Sequence, residues 1–207
     1  MKQALFVLAG VLILVLVVAG AGISTYNRLV SLDQAVEQQW AQVENVYQRR
    51  LDLVPNLVET VRGAANFERD TFVQVAEART RAAALTGGGT AARGEAVKAT
   101  EDPAAMERFQ AAQDQLSTAL GRLLVVVERY PELSATQNFR DLQAQLEGTE
   151  NRISVERMRY NEAAREFNTA RNRFPTTLIA DMFGDRFATK TFFRATGGAE
   201  RPPAVQF

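Results

Sequence analysis

Tyr47–Val61 reads Y-Q-R-R-L-D-L-V-P-N-L-V-E-T-V, and the fold turns on what the chain does at Pro55. Val and Leu recur here at helical spacing, yet two arginines, an aspartate, a proline and an asparagine are set among them. Inside a helix, proline lacks the N–H that would bond back, and its ring collides with the carbonyl four residues earlier. The expectation is therefore a turn near Pro55, with Asp52 as N-cap of the helix that follows. The alternative is one kinked rod, because the apolar pattern crosses Pro55 nearly in phase. Such a rod carries a hydrophobic stalk that a partner or a second copy must cover. Arg49, Arg50 and Asn56 travel with apolar neighbours, and a buried arginine must be paired.

Working outward, Leu29, Leu32, Val36, Trp40, Val43 and Tyr47 step by threes and fours before the proline. Val54, Val58, Val61, Ala65, Phe72 and Val75 continue the face after it, towards Leu85. That is the signature of an amphipathic helix. Gly87-Gly88-Gly89 ends the second helix and reads as a linker, since no Gly-Lys-Ser/Thr follows to make a phosphate loop. Asp102-Pro103 starts the third helix with an N-cap and a proline at the first helical position. Met106, Phe109, Gln113, Leu116, Leu120, Leu123, Val127 and Tyr130 form its seam. Ser134-Ala135-Thr136-Gln137 fits a capping box for the fourth helix, whose seam runs from Phe139 through Leu146, Ile153, Tyr160 and Phe167 to Phe174.

Four comparable helices predict an all-α, up-and-down four-helix bundle. Residues 1–25 are expected to form a transmembrane anchor, 26–174 the bundle with a flexible linker at 86–101, 175–194 a short aromatic-rich segment, and 195–207 a disordered tail. The anchor rests on Leu5–Ile23, an uncharged run spanning roughly 28 Å as a helix, close to a bilayer's hydrocarbon thickness. A cleaved signal peptide is the competing reading, and its apolar region is usually shorter. Lys2 before the run, with Arg28, Asp33 and Glu37 after it, tilts the bulk of the chain away from the cytoplasm. Leu178, Ile179, Met182, Phe183, Phe187, Phe192 and Phe193 form an apolar group expected to fold back onto the bundle or to dock on membrane or partner.

Composition excludes several chemistries. The chain has no cysteine and no histidine, which removes thiol chemistry, disulfides, histidine-based triads and zinc sites built on imidazole or thiolate. Basic and acidic residues balance at 24 each, which argues against a protein that neutralises nucleic-acid phosphates. Glu147 and Glu150 lie three apart on one helix, but no Glu-x-x-His motif joins them to make a carboxylate-bridged metal centre. Most charges on long helices are solvated. The sharper expectation is that Arg50, Asn56, Glu150 and Asn151 meet in a buried network that fixes register between helices.

These segments together resemble the LemA family. The resemblance is carried by Y-N-R-L-V at Tyr26–Val30, Trp40, R-R-L-D-L-V-P-N-L-V at Arg49–Val58 and Ala78-Arg79. It continues through Y-P-E-L at Tyr130–Leu133, Asn138-Phe139, and L-E-G-T-E-N-R-I at Leu146–Ile153. Tyr160-Asn161, Phe167-Asn168 and Phe174-Pro175 complete it. The resemblance implies a single-pass bacterial inner-membrane protein with a helical-bundle domain and no agreed biochemical activity. It also implies association with membrane metalloproteases or, in one branch, with intracellular membrane compartments.

The resulting expectation is a non-enzymatic, membrane-anchored helical adaptor or assembly protein, accessory to another membrane protein or a protease complex. The alternative is a self-assembling scaffold that organises membrane. No catalytic, cofactor-binding or metal-binding residue is assigned. Expected partners are the lipid bilayer and a membrane protein or a homo-oligomer, with no nucleic acid and no small-molecule substrate. The candidate structural or partner-contact residues are Trp40, Arg49, Arg50, Asp52, Pro55, Asn56, Glu150, Asn151, Tyr160, Asn161 and Phe183.

Overall fold

A computed structural model describes residues 2–62, 69–86 and 99–194. Among them the chain is helical, without strands. The long helices are α1 (Lys2–Arg62), α2 (Arg69–Leu85), α3 (Pro103–Val127) and α5 (Gln137–Asn172). A single turn, α4 (Pro131–Ser134), links α3 to α5; α6 (Thr176–Met182) and a 3₁₀ turn (Gly184–Phe187) follow. The expected glycine linker at 87–89 and the tail from 195 lie outside the described residues.

The turn expected at Pro55 is absent. α1 is one helix of 61 residues with Pro55 inside it, about 92 Å long at helical rise. Asp52 is accordingly a mid-helix residue, accepting a hydrogen bond from the Gln48 side chain at 2.8 Å, and caps nothing. Two physical reasons favour the straight path. The apolar face stays in phase across the proline, so that Leu51, Val54, Leu57 and Val61 are all buried on it. The carbonyl left without a donor by Pro55 is that of Leu51, and Arg79 of α2 donates to it at 3.0 Å.

The rod is nonetheless not a bare stalk, because its own chain covers the seam. Glu150, Tyr160 and the Phe167 region of α5 come successively beside Arg50, Trp40 and the Asp33 region of α1, so α5 runs antiparallel to α1. Arg79 meets Leu51 while Phe72, earlier on α2, lies 5.7 Å from the Arg62 guanidinium further along α1, so α2 is antiparallel as well. Phe109 lies against Trp40 and Tyr47, and Gln113 and Ser117 against Arg50, so α3 runs with α1. The result is an up-down-up-down bundle with two apolar cores. One is distal, around Leu57, Val75, Leu116, Leu123 and Phe139; the other lies nearer the N-terminal span, around Trp40, Phe109, Tyr160, Phe167, Phe187 and Phe193.

Local signals agree in part with the elements. Asp102 caps α3, accepting from the Ala104 N–H at 2.9 Å, with Pro103 following as expected. The cap of α5 is Thr136 rather than Ser134, because Ser134 belongs to α4 and Pro131 starts that extra turn. Gly184 ends α6 at φ +52°, a conformation costly for residues with a Cβ. Phe6 to Ile23 on α1 carry large apolar side chains that are exposed throughout, with none of that stretch buried by the rest of the chain. This is the one described helix long and apolar enough to cross a bilayer.

Candidate functional site

Three polar constructions hold the helices, and each begins from a residue that apolar burial alone would exclude. The first is the Arg50 layer between the two cores. Arg50 is 1% exposed, the largest of the fully buried side chains. Its Nη1 donates to Ser117 Oγ at 2.8 Å and to Glu150 Oε1 at 2.9 Å. Its Nη2 donates to the Gln113 side-chain and main-chain oxygens. Gln113 passes the chain on, its Nε2 donating to Thr86 Oγ1 at 2.8 Å at the end of α2. One guanidinium thereby ties α1 to α3 and α5, and through Gln113 to α2. Its Nε is buried without an acceptor, and the plane lies 5.1 Å from the Tyr47 ring centroid. Glu150 is half-exposed, so water shares its charge and desolvation is concentrated on the arginine.

The network expected from sequence is therefore half right in membership. Arg50 and Glu150 meet, whereas Asn56 and Asn151 face solvent on their helices. Gln113, Ser117 and Thr86 take the missing places. Gln113 was legible in principle, since it occupies a seam position between Phe109 and Leu116.

The second construction is the strap formed by residues 188–194, which lies along α5. Asn161 Nδ2 donates to the Phe193 carbonyl at 3.0 Å, and its Oδ1 accepts from the Phe193 N–H at 2.9 Å. Asn168, seven residues on, does the same for Lys190, at 2.8 Å each way. Two helical turns of α5 thus match three residues of extended chain, and the amides satisfy its backbone as a neighbouring strand would. Tyr160 donates to the Thr191 carbonyl at 3.1 Å, and burial raises its hydroxyl pKa far above the ordinary value. Phe193 enters the aromatic core, stacking on Trp40 at 5.8 Å and meeting Tyr160 edge-on at 5.4 Å. The part of the C-terminal group expected to fold back does so at Phe187 and Phe193; Leu178, Met182, Phe183 and Phe192 remain exposed.

The third is a buried ion cluster under the strap. Lys190 Nζ lies 2.9 Å from Asp33 Oδ1 and 2.8 Å from Glu101 Oε1, with the Phe167 ring 5.3 Å away. Burial alone would lower the lysine's pKa; hydrogen bonds to Glu101 and Asp33 outweigh it and raise it. Asp33 is 2% exposed and also faces Arg186 at 3.6 Å. Sequence reasoning missed both partners: Lys190 lies in a stretch with no period, and Leu32 stood for Asp33 in the α1 seam.

The remaining candidates divide by face. Trp40 and Tyr160 are buried at the aromatic core, and Asn161 holds the strap. Arg49, Asp52 and Asn56 are exposed in a row on α1, with Pro55 half-buried beside them. Phe183 is half-exposed, its ring 4.7 Å from that of Tyr26. No three acidic side chains among the described residues lie close enough to hold a metal ion.

An apolar helix of spanning length, continuing unbroken into a four-helix body whose polar groups lock helix to helix, defines a membrane-associated helical-bundle protein. The chain belongs to the LemA family, whose model matches residues 39–207. It is similar to two magnetosome proteins MamQ of Paramagnetospirillum magneticum, at 27% identity over 185 residues, covering 86% of this chain and 67% of each relative. It is also similar to the magnetosome protein MamQ of Magnetospirillum gryphiswaldense, at 25% identity over the same length.

Proposed function

We propose that this protein is a non-catalytic, single-pass adaptor of the bacterial inner membrane, accessory to another membrane protein, with its body on the extracytoplasmic side. The observation that carries this reading is the continuity of α1. One helix is both the apolar span and the central post of the body, so the body stands at a fixed height and angle from the bilayer. Its inward face is buried by its own chain, while Arg49, Asp52 and Asn56 form an exposed row at steps of three and four. A charged, rigid row of this kind suits recognition of a second protein. The covered seam also removes the main physical reason for a self-assembling stalk.

The test is a photo-cross-linking amino acid placed at Arg49 and, separately, at Asn56 in the full chain in native membranes. A discrete adduct with another membrane protein is the expected result. Adducts with further copies of the chain alone would shift the reading to a scaffold, and absence of any adduct at both positions would count against an adaptor face. Protease cleavage at Gly87–Gly89 in spheroplasts reports the side on which the body lies.

A further inference from the structure

At the corner where α1 leaves its apolar stretch, α5 and α6 enclose with it a cleft of about 420 Å³. Its lining includes Thr25, Arg28, Arg165, Thr169, Arg173 and Thr176. Three arginines face one carboxylate there, Glu166. Arg165 is shared with Glu162 at 3.6 Å, while Arg28 and Arg173 have no ion-pair partner among the described residues. The position along α1 says which anion is at hand. Thr25 and Arg28 lie two and five residues beyond Ile23, about 3 Å and 7.5 Å further along the helix axis. The headgroup layer extends roughly 5–7 Å beyond the hydrocarbon on each side, so the cleft opens at the depth of lipid phosphates.

α6 lies at the same depth. Thr176, at its start, lines the cleft beside Thr25 and Arg28, and Phe183, just past its end, packs on Tyr26. Both ends of the helix meet one turn of α1, so α6 crosses α1 instead of running along it. Phe174, Leu178 and Met182, spaced by four, are 80%, 57% and 81% exposed. Leu178 and Met182, one turn apart on a crosswise helix at headgroup depth with Phe174 exposed just before it, make the pattern of a segment lying in the membrane interface.

We infer that the Arg28–Arg165–Arg173 cleft binds the phosphate of an anionic phospholipid, with Phe174, Leu178 and Met182 set among the neighbouring acyl chains. The inference rests on Phe6–Ile23 being a membrane span. The arginine forks supply paired donors for phosphate oxygens, with the Thr169 and Thr176 hydroxyls as further donors, since that of Thr25 is given to the Ala21 carbonyl. Bound lipid brings negative charge to a cleft whose lining carries three arginines against one glutamate.

The experiment uses the full chain, reconstituted in vesicles of phosphatidylcholine with phosphatidylglycerol, extracted in mild detergent, and weighed intact by native mass spectrometry. Retention of phosphatidylglycerol over phosphatidylcholine is expected. Arg28→Gln and Arg173→Gln should each weaken it ~5-fold and together ~30-fold, the worth of about one headgroup attraction per arginine. Arg28→Lys with Arg173→Lys should restore part of the preference, returning the charge without the paired donors, which separates charge loss from misfolding. Equal retention of both lipids, or no change in the Gln variants, overturns the proposal. Displacement of the lipid by millimolar inorganic phosphate would make this a soluble-anion site and overturn it too. In the same vesicles, Leu178→Trp fluorescence should be quenched by brominated acyl chains, whereas Trp40, about 25 Å beyond Ile23, should not be. Full release of the wild-type chain by alkaline carbonate would instead remove the span on which the inference rests.

Discussion

Arg79 donates its Nε–H to the carbonyl oxygen of Leu51 at 3.0 Å, occupying the acceptor that Pro55 leaves without its helical N–H. A side chain from α2 thus completes the backbone ladder of α1. This also explains how a proline persists in the middle of a helix that carries the body on the membrane. The proline marks where α2 docks, because a donor from α2 at that height takes the place of the missing N–H.

The pair should be coupled. Arg79→Met leaves a part-buried carbonyl unpaired and is expected to destabilise the full chain in detergent by about 1–3 kcal/mol in urea unfolding. In a Pro55→Ala background, the new Ala N–H serves the same carbonyl, and the cost of Arg79→Met should shrink by about 1 kcal/mol or more. Pro55→Ala alone should raise stability, since an interior proline costs a helix roughly 3 kcal/mol. Equal cost of Arg79→Met in both backgrounds would disprove the substitution of one donor for another.

Arg50→Met should cost about 1–3 kcal/mol, because the Gln113 side-chain oxygen is left buried without its donor while Glu150 keeps its water. Glu150→Gln should cost more, about 3–5 kcal/mol, because it leaves the Arg50 guanidinium buried without a counter-charge. The double-mutant cycle should still give coupling beyond ~0.3 kcal/mol; a value inside that margin would show that Ser117 and Gln113 carry the arginine without Glu150.

How much of this was legible follows from what period can encode. Seam positions such as Val36, Trp40, Phe109, Leu116, Ile153 and Tyr160 announce the bundle, because a helix buries every third or fourth residue. Pro55 misled because its local penalty is visible in the sequence, whereas its compensation comes from Arg79, 24 positions away. The Arg50–Glu150 contact was readable from charge on facing seams. Asn56 and Asn151 were not separable from Gln113, since one step around a helix moves a side chain from core to water. Lys190 and the strap were invisible, as extended chain pinned by Asn161 and Asn168 has no repeat of its own.

The strap makes its own prediction. Asn161→Ala and Asn168→Ala each remove a donor and an acceptor from backbone that has no other strand to pair with. Hydrogen exchange should quicken at the Phe193 amide in the first variant and at Lys190 in the second, by about tenfold or more, before global stability falls comparably. Phe193→Ala, emptying a place against Trp40 and Tyr160, should instead cost about 3–5 kcal/mol globally. If both asparagine variants exchange like the wild type, the amide ladder is not what holds the strap.

Alkaline pH should loosen the same region. Burial raises the Tyr160 and Tyr47 hydroxyl pKa values above 10.0. At Lys190 burial works downward, but the Glu101 and Asp33 hydrogen bonds prevail and the value rises above 10.5. In all three the folded chain holds its proton more tightly than the unfolded one. Their contribution is therefore complete below the unfolded pKa values and is lost as pH climbs through the folded ones. The chain has no histidine, so no imidazole step falls between about pH 5 and 8. Unfolding midpoints should stay level from neutral pH to about 9.5 and drop steeply above about 10. Tyr160→Phe removes one of these protons together with the hydrogen bond to the Thr191 carbonyl. It should lower stability by about 1 kcal/mol at neutral pH yet give a shallower alkaline fall. A slope identical to wild type above pH ~10 would mean that Tyr160 keeps no tighter hold on its proton in the folded chain.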